Sequence, residues 1–171
     1  MERRDIRKEL QDVSFNNLNA RQLSFLALFI ALAAVATYIR VPGFNASYYN
    51  LGEVIVFTVA LIFGRKSGLI AGAIGSSLVD LLVAPVWVPF TFVIKGLEGW
   101  VVGSLAEDDK PLKNILAVVV GGHIMIIGYA VAVWILYGWP SVLPEIGGNY
   151  FQALIGAVIA WPLSYQIRKI L

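Results

Sequence analysis

The sequence predicts an all-α membrane protein of six transmembrane helices with both termini on the cytoplasmic side. Three observations carry that prediction. Of 171 residues, 58% are hydrophobic and 14% charged, against about 25% charged in a soluble domain, and the mean hydropathy is +0.76. Beyond a polar start over 1–21, the chain has room for six stretches of roughly 20 apolar residues, the length that crosses a hydrocarbon core about 30 Å thick. The basic residues then alternate as the positive-inside rule requires. Arg3, Arg4, Arg7, Lys8, Arg21, Arg65, Lys66, Lys110, Lys113, Arg168 and Lys169, 11 of the 13 Lys and Arg, fall on the cytoplasmic side. Arg40 lies outside and Lys95 lies within a span.

The first domain, 1–21, is a cytosolic polar tail. Ile6, Leu10 and Val13 recur there at helical spacing, which suits a surface helix among headgroups as well as it suits a frayed tail. The second, 22–171, holds the spans. Ala34-Val35-Ala36 mimics a signal-peptide cleavage site, but the stretch before it is too long and the helical pattern continues to Arg40.

Span one covers 22–39 and stops at Arg40-Val41-Pro42-Gly43; a polar, aromatic outer loop follows over 44–50. Span two, 51–63, is the shortest, and without it the termini would lie on opposite sides. Gly64-Arg65-Lys66-Ser67-Gly68 turns the chain into span three, which reaches residue 83. Ala84-Pro85-Val86-Trp87-Val88-Pro89 is the next turn. Span four covers 90–105 and is followed by the charged run to Pro111. Span five covers 112–137, and a loop with two prolines and three glycines occupies 138–149. Span six, 150–167, ends at Arg168-Lys169.

Charges inside spans face a bundle interior or a cavity, because lipid makes them costly, and they commonly mark a substrate site. Lys95 and Glu98 stand three residues apart on one face of span four, where they either contact a ligand or form a structural ion pair. His123 in span five reads equally as a ligand contact or a satisfied interior histidine. Asp80 and Glu53, near span ends, read as interfacial. Phe44, Asn45, Tyr48, Tyr49 and Asn50 crowd the first outer loop, and Trp87, Trp139, Asn149, Tyr150 and Gln152 flank the others. An interfacial aromatic belt accounts for many of them. Amides gathered beside the Lys95/Glu98 pair point further, to an outward pocket for a flat heteroaromatic ligand. Small residues repeat on three spans: Ala27, Ala31 and Val35; Gly68, Gly72 and Ser76; Gly96, Gly99 and Gly103. Such faces let helices approach closely in lipid. On spans three and four the expected role is internal packing; the span-one face suits either internal packing or a membrane partner.

Several chemistries are excluded. The chain has no cysteine and one histidine, so thiolate chemistry and multi-histidine metal sites are absent, and no metal or cofactor is expected. A net charge of +2 is too small for nucleic-acid binding. No phosphate-binding G-x-x-x-x-G-K-[ST], H-E-x-x-H or G-x-S-x-G motif occurs, and the halves show no inverted repeat. Uphill transport by this chain would draw its energy from elsewhere.

The stretches LSFLALFIALAAVATYIRVPG, NLGEVIVFTVALIFGRKSGLIAGAIGSSLVDLL and PFTFVIKGLEGWVVGSL resemble the substrate-binding S components of energy-coupling factor (ECF) vitamin transporters. The resemblance covers 22–105 by motif and 112–171 by span pattern, in the subgroup for riboflavin, hydroxymethylpyrimidine and pyridoxine. It implies an S-component-like bundle, an outer pocket under a lid formed by the first outer loop, and high-affinity vitamin binding without enzymatic activity. It also implies a membrane T component and two ABC ATPases as partners, in the cytoplasmic membrane of a prokaryote, with the S component toppling to deliver its ligand. Ala27 and Ala31 would contact the T component. Asn45, Tyr48, Tyr49, Lys95, Glu98, His123, Asn149 and Gln152 would line the pocket. Riboflavin and the smaller ring vitamins rank equally. A structural or assembly membrane protein is the alternative, and an intramembrane enzyme using Asp80, Lys95 or Glu98 is a more distant one.

Overall fold

The computed structural model describes residues 6–11, 13–43 and 48–171. Its element order is α1 Ile6–Gln11, α2 Ala20–Tyr38, β1 Arg40–Pro42, β2 Tyr48–Asn50, α3 Gly52–Ile70, a π-helical turn Ala71–Ser76, α4 Ser77–Val83, a 3₁₀ turn Pro85–Trp87, α5 Val88–Leu105, α6 Pro111–Tyr137, a 3₁₀ turn Trp139–Ser141 and α7 Val142–Ile170. Among the described residues, four stretches are long and apolar enough to cross a membrane: Ala20–Tyr38, Gly52–Val83, Pro85–Leu105 and Pro111–Tyr137.

The second of these is two helical arms. Gly64 adopts φ 79°, a left-handed conformation that glycine enters without the penalty a Cβ brings, and the chain folds back there. A Cβ on Gly68 would sit 2.7 Å from Ala60 Cβ, and one on Gly72 would sit 3.4 Å from Val56 Cγ1. Each pair is symmetric about Gly64, as an antiparallel hairpin requires. This 52–83 hairpin is the centre of the molecule. α5 packs against it where Gly68 and Gly99 meet, because a Cβ on Gly99 would lie 2.2 Å from the Gly68 carbonyl oxygen. The expectation that the small faces of spans three and four pack internally follows from this contact.

α2 starts with a capping box. Asn19 Oδ1 accepts from Gln22 N at 2.8 Å, and Gln22 Oε1 accepts from Asn19 N at 3.1 Å, so two orphan donors are satisfied. Its Leu26, Phe29 and Ala33 are buried, with Phe29 and Phe63 ring centroids 4.6 Å apart. Ala27, Ala31 and Val35 are exposed. Internal packing is therefore not the role of that face. Other large apolar side chains, among them Leu23, Val93, Ile127 and Phe151, also face outward, as lipid-facing helices do.

Three expectations from sequence need correction. Ile6, Leu10 and Val13 are neither frayed nor a separate surface helix: all three are buried in one cluster with Leu26, Phe29, Ile62 and Phe63. The 44–50 loop contains strand β2, paired antiparallel to β1 in the register Arg40↔Asn50, Val41↔Tyr49, Pro42↔Tyr48. Most of the 138–149 loop is helical, since α7 begins at Val142. Pro144 falls in that helix's first turn, where a missing N–H costs nothing. Gly148 leaves room for the Tyr49 ring, 1.9 Å from where a Cβ would be. Residues that read as loop breakers are there for the start of a helix and for a close contact.

Candidate functional site

The site lies at the strand end of the bundle. Glu53 is in the first turn of α3, and Gly156 brings α7 against it, with only 2.3 Å between a Cβ placed there and Glu53 Cβ. One turn away on α7, Gln152 Nε2 donates to Glu53 Oε1 at 2.8 Å, and its Oε1 accepts from the Asn50 backbone N–H at 2.7 Å. One amide thus joins the centre of the bundle to strand β2. From α5, Lys95 donates to Glu53 and, at 2.5 Å, to Glu98 Oε2. The side chains of Lys95, Glu53 and Glu98 are 4%, 1% and 0% exposed. Such burial is sustained only by pairing and hydrogen bonding. Glu53 is therefore not interfacial but one of the three members of the buried ion cluster.

Beside this cluster is a small cavity, partly open to solvent. Lys95 and Gln152 bound it toward the cluster; Tyr48 and Asn50 close it from β2; Thr37 and Ser76 come from α2 and the π-helical turn; Glu145 and Asn149 come from α7. Trp87, Thr91 and Tyr129 form its aromatic and hydroxyl wall. The Trp87 ring lies 5.9 Å from Tyr129 at a 64° angle, and the Thr91 and Tyr129 hydroxyls share a 3.0 Å hydrogen bond. Asp80, 3% exposed, also lines it and accepts a hydrogen bond from Tyr48 OH. Asp80 too is buried rather than interfacial. Burial, and then the Asp80 carboxylate, push the Tyr48 phenol well above the usual tyrosine range. Tyr49 is raised by burial and by Glu145.

The structure brings Tyr48, Lys95, Asn149 and Gln152 onto the cavity lining. Glu98 sits behind Lys95, buried and off the lining. Tyr49 lies on the far side of its strand, in a groove with Val41 and Phe151. His123 is outside the cavity: it is exposed, Nδ1 meets Val119 O at 2.8 Å, and its ring stands edge-on to Tyr150 at 5.6 Å. Asn45 lies outside the described residues. Sequence reasoning named Trp87 only as a flanking aromatic and Ser76 only as a packing residue, and did not select Thr37, Thr91, Tyr129 or Glu145. Thr91 had a usable signal, one helical turn before Lys95 on the same face. Glu145, Asn149 and Gln152 follow i, i+4, i+7 spacing, which extending α7 through the presumed loop would have revealed.

Buried acceptors, a flat aromatic wall and a few directed donors suit a small, flat, polar molecule. Comparison with known proteins leads the same way. The model of the family described as ECF-type riboflavin transporter, S component, matches residues 17–169. A Pyrococcus woesei protein described as "Uncharacterized protein in gap 3'region" is 34% identical over 141 residues, 81% of this chain and 95% of that protein. The thiamine precursor transporter HmpT of Lactococcus lactis subsp. cremoris (strain MG1363) is 28% identical over 158 residues, 90% of this chain and 92% of that protein.

Proposed function

The chain belongs to the S-component family of ECF-type riboflavin transporters, and we propose that it captures a water-soluble vitamin or vitamin precursor in the cavity beneath β1–β2. Family membership supports a transport role in a membrane and leaves the assembly-protein alternative without support; the family consists of transporter components, not enzymes. The proposed ligand is a flat nitrogen heterocycle. Of such ligands, a single pyrimidine or pyridine ring is proposed over riboflavin. The thiamine-precursor role of the Lactococcus relative supports the same choice.

The proposed topology has six crossings, with α2, the two arms of the 52–83 hairpin, α5, α6 and α7 as the spans and both termini cytoplasmic. The basic clusters support it: Arg7 and Arg168 pair with Asp108, and Lys66 bonds to Val13 O, all at the end opposite the strands. The cavity then opens outward, and β1–β2 serves as its lid. The proposed partners are a T component and two ABC ATPases in a prokaryotic cytoplasmic membrane. The exposed face of Ala27 and Ala31 is the proposed T-component contact, smooth enough for close helix packing.

The observation that carries the reading is the cavity lined by Tyr48 and Asn50 of β2 on one side and bounded by the buried Lys95 cluster on the other. Its test is to extract the purified protein and identify the released molecule by mass spectrometry and absorbance. A heteroaromatic vitamin or precursor that rebinds to the emptied protein is the expected result. Absence of such a molecule, with no binding when vitamins are added back, overturns the reading.

A further inference from the structure

The polar groups around the cavity are unevenly saturated. Lys95, the one lysine or arginine on its lining among the described residues, is already engaged by Glu53 and Glu98. Gln152 is bonded at both ends of its amide. Asp80 differs: Tyr48 donates to Oδ1, while Oδ2 is buried with no partner among the described residues. Trp87 is 3% exposed, and its Nε1 is likewise buried and unpartnered among the described residues. An acceptor and a donor withheld from water and left unsatisfied on one small cavity are each destabilising. A ligand that meets both removes that cost.

We propose that Asp80 and Trp87 are the recognition pair of this site, the carboxylate taking an amino or ring N–H donor and the indole N–H giving to a ring or hydroxyl acceptor. The same lining selects ligand charge. It presents the carboxyl groups of Asp80 and Glu145, and its lysine is committed to two further carboxylates. A neutral or cationic ring compound is admitted, and a phosphorylated form of the same compound is rejected by charge. This inference rests on the vitamin-binding reading above and adds to it the chemical class that is recognised.

The test uses the full chain in lipid nanodiscs, with affinity read by calorimetry. The probes are riboflavin, pyridoxine, 4-amino-5-hydroxymethyl-2-methylpyrimidine and the monophosphate of each. For whichever parent compound binds, its monophosphate is expected to bind at least about 100-fold more weakly. Asp80→Asn keeps the side-chain shape and is expected to weaken binding of the parent about 10- to 100-fold, the range of a hydrogen bond to a charged group, and to narrow the discrimination against the phosphate. Trp87→Phe keeps a ring and is expected to weaken it about 5- to 10-fold. The phosphate comparison is read on the unmodified protein and stands whether or not the variants fold. A monophosphate bound as tightly as its parent, or unchanged affinity in both folded variants, overturns the inference and leaves the vitamin reading standing. Binding of no probe overturns the vitamin reading itself and the inference with it.

Discussion

The two ends of the 52–83 hairpin both bury polar atoms, and they treat them differently. At the basic end, the reversal at Gly64 leaves carbonyls without helical partners. Arg7 Nε donates to Ile62 O at 3.0 Å, Gln11 Nε2 donates to the same oxygen at 3.3 Å, and Arg168 donates to Leu61 O. Asp108 then pairs with both arginines. Of these arginines' atoms, Arg168 Nε stays buried and unpartnered among the described residues. At the strand end, Asp80 Oδ2, Trp87 Nε1 and Tyr49 OH are left in that state together, two of them on one cavity. Both ends hold charge, and at the basic end Ser67 Oγ and Glu9 Oε2 also lack a hydrogen-bond partner among the described residues. There the arginines are spent on backbone carbonyls and Asp108, whereas the strand end places an unsatisfied acceptor residue and an unsatisfied donor residue on one lining. A complementary acceptor and donor on one lining, more than charge as such, separates the candidate binding site from the staple.

The contrast can be broken in four ways. Lys95→Met should have the largest effect, because it leaves Glu53 and Glu98 buried without their cation, a loss of about 3–5 kcal/mol. Denaturant unfolding in detergent measures it, and adding Glu53→Gln and Glu98→Gln to the same chain should restore much of the loss. Gly99→Ala is next, at about 1–3 kcal/mol, since its methyl group meets the Gly68 backbone and must push α5 from the hairpin. Arg7→Ala should cost about 1 kcal/mol, with Gln11 still bonded to Ile62 O. Calorimetric affinity for the vitamin should not change in that variant; a matching loss of affinity would make the basic end part of the site. Ala31→Trp should change stability by less than about 0.5 kcal/mol, as a substitution on an exposed face, and keep vitamin binding. Pull-down of the T component by the same variant should fail, and normal assembly would remove the α2 face from the proposed interface.

Much of the fold could be read from composition and punctuation, and the misreadings have a common cause. Gly64 was legible as a turn because it sits in a charged, glycine-flanked run between two apolar stretches. The glycines at 68 and 99 were legible as packing faces by their spacing. Gly148 and Pro144 bear the same loop signature, yet lie in the first turns of α7, because tertiary contact with Tyr49 asks for a small residue at 148 and a helix start accepts proline. Within the site, Lys95, Asn149 and Gln152 stood out as polar residues among apolar ones. Glu53 and Asp80 stood out too, but distance from a span's end does not reveal what a helix packs against, so their burial was not legible. His123 shows the converse: polarity within a span marked it, and its side chain turns away from the cavity to its own helix backbone.

The central claim is that ligand is held at the strand end, under β1–β2 and against Asp80, Trp87 and Lys95. Hydrogen–deuterium exchange of the purified chain, with and without a vitamin shown to bind it, tests this directly, because occupancy lowers local opening where the ligand sits. Added protection is expected over 48–50 and 85–95, with no change over 104–110 at the basic end. Protection over 104–110, with none over 48–50 and 85–95, would contradict the claim.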